Sequence, residues 1–374
     1  MNKIKVMTVV GTRPEVIRLS RVISSLDMIS EHTLVHTGQN YDYELNQIFF
    51  DEMGIRQPNF FMNAATSRPM ETIGKIIDIS DQLISQLKPD AFLVLGDTNS
   101  SLAAISAKRN KVPIFHMEAG NRCFDMLVPE EINRKIVDHI ADINLTYSTI
   151  ARDYLLKEGI PPDRIIKIGS PMAEVLNFYK LNINSSEILN KLNLNSNKYF
   201  VVSTHREENV SNELGIANIV TLLKYLDKKF NLPIVISAHP RVKSIFDGYG
   251  LKELKNIIVL KPLGFFDYNK LQQCSLAVLS DSGTINEESS IQGFRALNLR
   301  SSHERPEAME EGAVMMVGLS LDRIKQALDI LVSEPVNCDF RNTVRDYSDL
   351  NISYKVTRII LSYIDYVNRV VWSR

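Results

Sequence analysis

The amino-acid sequence predicts an α/β protein of two successive domains, each a parallel sheet wrapped by helices. Three observations carry that expectation. Short apolar or β-branched runs alternate with helical segments from Ile4 onward, the pattern of a parallel sheet with crossover helices. The alternation starts afresh at Tyr199, after a polar, Asn-rich stretch between Asn182 and Asn197. The 374 residues also exceed what one hydrophobic core usually serves. A boundary is expected after Ser170, giving a first domain of residues 1–170 and a second of 171–353, with a final helix, 354–374, crossing back over the first.

Residues 4–10 form a β-branched run that stops at Gly11-Thr12-Arg13-Pro14-Glu15, and a helix follows from about Glu15 with apolar positions at Val16, Ile17, Leu19, Val22, Ile23 and Leu26. Residues 32–36 read as a second strand. Helices end near Met53 and span 70–86. A strand over 92–95 stops at Gly96-Asp97-Thr98, and another over 112–116 leads into Met117-Glu118-Ala119-Gly120. Pro129 opens a helix with Glu130 and Glu131 in its first turn. A strand over 140–146, a helix over 149–157 and a strand over 165–168 complete the first half. In the second, strands over 199–203, 233–237, 257–260, 276–280 and 296–299 alternate with helical segments.

Composition excludes several classes of function. A formal net charge of -1 offers no footprint for nucleic acid or an anionic membrane. Apolar runs are broken by charge every few residues, so no membrane span is expected, and Met1-Asn2-Lys3-Ile4 runs straight into a strand without a signal-peptide layout. Cys123, Cys274 and Cys338 are scattered and odd in number, which points to a reducing cytoplasm and away from a structural zinc site.

Residues just past the carboxyl ends of neighbouring parallel strands face one crevice. Asp97, Glu118 and the Glu130-Glu131 pair are therefore expected to converge, and grouped carboxylates shift one another's pKa and divide acid and base roles. Singly, each has an ordinary explanation: Asp97 as a helix cap, the glutamates as first-turn acids. Arg13, on a Gly turn at a helix start, is placed to reach a diphosphate or, alternatively, faces solvent. In the second half Asp281-Ser282-Gly283-Thr284 offers amides and hydroxyls suited to a diphosphate, with Glu288 a turn on for ribose hydroxyls. Phe265, Phe266 or Tyr268 is positioned to stack on a base; a capping turn and core aromatics are the competing explanation. His205, in a polar run beyond a strand end, is expected to act on a phosphate or a leaving group, whereas His139 reads as structural. No GxSxG elbow, Walker lysine motif or metal-ligand spacing is present, so serine-nucleophile and P-loop chemistry are set aside.

The blocks Gly11-Thr12-Arg13-Pro14-Glu15, Gly96-Asp97-Thr98, Glu118-Ala119-Gly120, Pro129-Glu130-Glu131 with Asn133-Arg134, Thr204-His205-Arg206, Asp281-Ser282-Gly283 with Glu287-Glu288, and Glu304-Arg305-Pro306-Glu307 span almost the whole chain. In that order they closely resemble the non-hydrolysing UDP-N-acetylglucosamine 2-epimerase family. The resemblance implies a glycosyltransferase-B architecture, two Rossmann-like domains with an interdomain cleft, and a homodimer through the first domain. It implies that Asp97, Glu118 and Glu130 serve proton transfers and that His205 assists departure of UDP. Arg13, Arg18, Arg134, Ser282, Gly283, Thr284, Glu288 and Arg305 would hold the substrate, with Tyr268 against uracil. Arg18 stands where many members have Lys, keeping the charge but changing donor geometry. The implied reaction removes the C2 proton while the anomeric C–O bond to UDP breaks, and needs no cofactor.

Asn121-Arg122-Cys123-Phe124-Asp125 replaces the Leu-Arg-Thr run of the glucosamine/mannosamine enzymes, and His303 stands where those have Thr. These features resemble the branch converting UDP-2-acetamido-2,6-dideoxy-L-talose to UDP-N-acetyl-L-fucosamine for capsule or O-antigen. Met126-Leu127 and Arg295 depart from the family pattern, and Asn40-Tyr41-Asp42 does not match the Gln-rich helix start of its allosterically regulated members. Three alternatives remain: a retaining glycosyltransferase, which needs an acceptor; a hydrolysing epimerase, which releases UDP; and a silent UDP-sugar-binding regulator.

Overall fold

The strands of this chain are short and apolar, and those at the sheet centres are buried on both faces, as a parallel sheet covered by helices requires. The computed structural model describes residues 3–38, 47–204, 213–237, 254–302, 305–334 and 344–374. The chain divides into unit 1, Met1–Phe178 with Asp346–Arg374, and unit 2, Tyr179–Arg345.

Unit 1 runs β1 (Lys5–Val10), α1 (Arg13–Ile29), β2 (Glu31–His36), α2 (Gln47–Glu52), β3 (Phe60–Phe61), α3 (Pro69–Leu87), β4 (Ala91–Leu95), α4 (Ala104–Arg109), β5 (Ile114–Ala119), α5 (Pro129–Ile140), β6 (Ile143–Thr146), α6 (Thr149–Lys157), β7 (Ile165–Lys167) and α7 (Met172–Phe178). Its parallel sheet has the order β3-β2-β1-β4-β5-β6-β7. The winding direction reverses between β1 and β4, the switch point where open α/β sheets bind ligands. Met7, Val9, Phe92, Val94 and Ile114 pack with Ile76, Leu83 and Val137 from α3 and α5.

Unit 2 repeats the plan with α8 (Lys180–Asn184), α9 (Ile188–Lys191), β8 (Phe200–Ser203), α10 (Glu213–Phe230), β9 (Ile234–Ser237), β10 (Ile257–Leu260), α11 (Phe265–Cys274), β11 (Ala277–Ser280), α12 (Ile285–Gln292), β12 (Ala296–Asn298), α13 (Glu307–Glu310), β13 (Met315–Met316) and α14 (Leu321–Ser333). The order β10-β9-β8-β11-β12-β13 puts its switch point between β8 and β11. The alternate residues Phe200 and Val202, with Ile234, Ile236, Ala277 and Leu279, meet Ile219, Leu223 and Leu226 of α10 and Leu328 of α14.

The final helix, α15 (Ile352–Trp372), returns to unit 1, where Thr357 Oγ1 lies 2.8 Å from Ser25 Oγ on α1. Unit 1 resumes ahead of that helix: Asp346 accepts hydrogen bonds from Thr149 N (2.9 Å) and Lys167 Nζ (2.6 Å), and its carbonyl takes Ser170 N (3.1 Å). The dividing point after Phe178, rather than after Ser170, follows from α7, whose Met172, Ala173, Val175 and Leu176 are buried. Of residues 140–142, read from sequence as the start of a strand, Ile140 instead ends α5, and Ala141 and Asp142 link it to β6. Asp142 holds that corner by accepting from Ile114 N (3.0 Å) and Lys108 Nζ (2.5 Å). His205, Arg206, His239, His303, Glu304 and the Asn40-Tyr41-Asp42 run lie outside the described residues. Among the described residues no helix is long and apolar enough to cross a membrane, and no group of three or more His, Cys, Asp and Glu is arranged to hold a metal ion.

Candidate active site

Strand register brings the acids of unit 1 to one end of the sheet. Thr8 pairs beside Leu93 and Leu95 beside Met117, so Gly11, Gly96 and Glu118 fall at one level past the switch point. Glu118 does not follow the strand, as its sequence position suggested; it sits inside β5 at a break in register between Met117 and Ala119. Its φ of 63° is left-handed, a conformation that costs a non-glycine residue about 1–3 kcal/mol and persists only where the surroundings impose it. The buried Glu118 carboxylate accepts from Arg18 Nη1 at 2.5 Å and faces Asn121 Nδ2 at 3.4 Å. A Cβ on Gly96 would stand 4.0 Å from that carboxylate.

Asp138 imposes that backbone. It is fully buried on α5 and accepts from Gly120 N (3.2 Å) and Arg122 Nη1 (2.7 Å), with His116 Nδ1 2.9 Å away. The other nitrogen of His116 donates to Gly96 O at 2.8 Å. Arg122 is clamped in turn by Glu158 through Nε (2.8 Å) and Nη2 (2.6 Å). Burial pushes the Asp138 carboxyl up, but hydrogen bonds and charge from His116 and Arg122 overcome it and hold the group below its usual range.

Asp97 stands just past β4, after Gly96. Its side chain is 19% exposed, and Oδ2 takes a two-pronged grip from Arg134 Nε (3.0 Å) and Nη2 (2.5 Å), while its carbonyl accepts from Asn133 Nδ2 (2.9 Å). Glu130 is exposed on the first turn of α5, three and four residues before Asn133 and Arg134 and so on the helix face that meets Asp97. Its neighbour Glu131 points inward and is wholly buried.

The α1 end of the switch point is already filled by the protein itself. Glu15, expected only as the start of α1, accepts from Gly11 N, Thr12 N (3.1 Å), Thr98 Oγ1 and Ser100 Oγ (2.7 Å). Burial outweighs these four hydrogen bonds and leaves the Glu15 carboxyl above its ordinary pKa. The Thr12-to-Glu15 spacing of a capping box was the available signal. Arg13 stands over the Phe49 ring, 5.6 Å from its centroid. Arg18 lies on Glu118 and is 3% exposed.

In unit 2 the turn after β11 is lined with hydroxyls. Ser282 Oγ and Thr284 Oγ1 are 2.9 Å apart, Thr284 Oγ1 donates to Glu288 Oε1 (2.7 Å), and Gln272 Nε2 donates to Glu288 Oε2 (2.9 Å). Arg305 Nη1 donates to Gly283 O at 2.7 Å. Of the three candidate stacking aromatics, Phe265 and Phe266 pack on Tyr179 with centroids 6.2 and 5.5 Å away, as core requires. Tyr268 is half-buried on the first turn of α11.

The chain is built from two parallel-sheet α/β units, unit 1 with ion-paired carboxylates past its strand ends and unit 2 with a hydroxyl turn past β11. The family model described as UDP-N-acetylglucosamine 2-epimerase matches residues 26–361. The chain belongs to that family, and the enzyme is an isomerase. It is 48% identical to a UDP-N-acetylglucosamine 2-epimerase of Rickettsia bellii whose structure superposes with a TM-score of 0.93 over all of both chains. The Methanocaldococcus jannaschii enzyme in complex with UDP-GlcNAc and UDP is 30% identical, with 96% of this chain and 100% of that one covered at a TM-score of 0.88. A UDP-2,3-diacetamido-2,3-dideoxy-D-glucuronate 2-epimerase of Pseudomonas aeruginosa is 32% identical, over 90% of this chain and 94% of its own.

Proposed function

We propose that the protein is a non-hydrolysing UDP-aminosugar 2-epimerase acting by anti-elimination and re-addition of UDP, and that its substrate is UDP-2-acetamido-2,6-dideoxy-L-talose. The observation that carries the mechanism is the pair of arginine-held carboxylates, Asp97 with Arg134 and Glu118 with Arg18, on adjacent strand ends. The C2 proton of a UDP-sugar is not acidic, so a carboxylate takes it while the C1–O bond to UDP breaks, leaving a 2-acetamidoglycal and UDP. A second acid returns a proton to the opposite face of C2, and the UDP oxygen re-adds at C1. Asp97, Glu118 and Glu130 serve these transfers. His205 and Arg13 meet the charge developing on the leaving diphosphate, and Ser282, Gly283, Thr284, Glu288, Arg305 and Tyr268 hold UDP.

Overall identity stands at 48% to a relative named for UDP-N-acetylglucosamine and at 32% to one named for a diacetamidoglucuronate, so the case for the 6-deoxy sugar rests on local residues alone. Local residues support the 6-deoxy reading. Asn121 of the divergent run lies against Glu118, and Phe124 of the same run is 68% exposed, edge-on to Tyr154. An apolar ring suits a 6-methyl group. The second reading, interconversion of UDP-N-acetylglucosamine and UDP-N-acetylmannosamine, is favoured by the name of the 48%-identical relative.

Incubating the purified protein in D2O with each UDP-sugar in turn, with no acceptor, decides between them. The 6-deoxy-L-talo substrate should gain deuterium at C2 and epimerise the faster. Faster turnover of UDP-N-acetylglucosamine selects the second reading, and no exchange with any UDP-sugar rejects epimerisation. Asp97→Asn and Glu118→Gln should each lower C2 exchange by about a hundredfold or more while UDP still binds; exchange at the wild-type rate removes that acid from the mechanism.

A further inference from the structure

Glu131 is a wholly buried acid on α5 that the proton transfers do not use. Its Oε2 accepts from Cys123 N (3.1 Å), Cys123 Sγ (3.3 Å) and Arg134 Nη1 (3.0 Å), and its Oε1 accepts from Phe124 N (3.3 Å). One buried carboxylate thus holds two consecutive amides of the 121–125 loop and the guanidinium that grips Asp97. Phe124 is left-handed, with φ of 57°, so the loop needs such an anchor to keep its ring outward. We propose that Glu131 is a positioning residue that couples this exposed loop to Asp97 through Arg134. The inference rests on the reading of Asp97 as a proton-transfer acid.

The coupling is electrostatic as well as steric. Arg134 divides one positive charge between two carboxylates, Asp97 and Glu131. Lys135 Nζ, 3.8 Å from Glu131 Oε1, draws on the same negative charge from the helix surface. Glu130 on the same helix turn, Glu118 with Arg18, His116 and Arg122 with Asp138, Glu158, Glu15 and Cys123 are further titratable or charged groups round this sheet end. Neutralising Glu131 leaves the whole Arg134 charge to Asp97 and favours its ionised form. Whichever limb of the pH profile Asp97 sets then moves to lower pH.

The test compares kcat for C2 exchange across pH in the wild type, Glu131→Gln and Lys135→Glu, with UDP affinity measured by calorimetry. For Glu131→Gln, kcat should fall about tenfold, UDP affinity should hold within about twofold, and the Asp97 limb should move down by roughly one pH unit. Lys135→Glu, at a half-exposed site, adds negative charge beside Glu131 and should move the same limb the other way by a smaller amount. This arm decides the matter even where Glu131→Gln does not fold. Limbs that stay in place in every folded variant make Glu131 an ordinary buried brace and overturn the coupling. Asp97→Asn separates the two failures: exchange surviving in it sinks the reading of Asp97 itself, whereas an inactive Asp97→Asn beside unmoved limbs sinks only the coupling.

Discussion

The turn after β4 in unit 1 and the turn after β11 in unit 2 occupy the same place in the same winding order, yet they are chemically opposite. Past β4 the chain presents an acid, Asp97, compensated by Arg134, while the Gly11 and Thr12 amides just ahead of α1 are occupied by Glu15. Past β11 the acid, Asp281, is wholly buried, and the turn presents Ser282 and Thr284, neutral hydroxyls whose hydrogen bonds pass along to Glu288 and Gln272. Topology chooses where a ligand is met; the residues just beyond the strand choose what is done to it. A turn whose amides already carry an internal carboxylate offers them to no incoming phosphate, so strand, glycine turn and helix mean different things in the two units.

Disturbing the acid end should have the larger consequences. Gly120→Ala should be the most damaging, because φ there is 84° and a Cβ would stand 2.4 Å from Ala151 O. A loss of about 3 kcal/mol or more is expected in urea unfolding. A variant as stable as the wild type would show that the α6 contact is loose and that the acid end is not rigid. Asp138→Asn should cost about 3 kcal/mol at neutral pH, since it leaves Arg122 and His116 facing a neutral amide. Because the folded-state pKa of Asp138 is depressed, its contribution is present above the unfolded value near 3.8 and is lost as pH falls through the folded one. Unfolding measured at pH 7 and pH 3 should therefore show the gap between wild type and variant narrowing in acid; a constant gap would place the stabilisation elsewhere. At the hydroxyl turn the expected effect is smaller: Ser282→Ala should weaken UDP binding about fivefold, roughly 1 kcal/mol, and leave thermal stability nearly unchanged. Calorimetry with UDP checks it, and an unaltered affinity would erase the proposed division of labour.

Much of the fold was legible because it is local. Apolar runs that stop at Gly11, Gly96 and Asp281 mark strand ends, and the blocks around them carried the family resemblance across the whole chain. Boundaries set by non-local contacts were not legible. Residues 140–142 run into the apolar strand at 143–146 with no Gly or Pro to mark a break, yet Asp142 is drawn into a corner by Lys108 and Ile114, distant in sequence. Glu130 and Glu131 are indistinguishable as adjacent acids, and only the packing of α5 turns one outward and buries the other.

By itself, then, the sequence determined the alternation of strand and helix, the doubled plan and the residue types offered at each strand end, because periodicity and turn chemistry act over a few neighbouring residues. The partners of those residues were decided by tertiary structure alone. Arg18 meets Glu118, Arg134 meets Asp97 and Glu15 closes over Thr98 only once parallel register and helix docking have brought distant segments together. The free energy of a buried charge depends on what surrounds it, and those surroundings exist only in the folded chain.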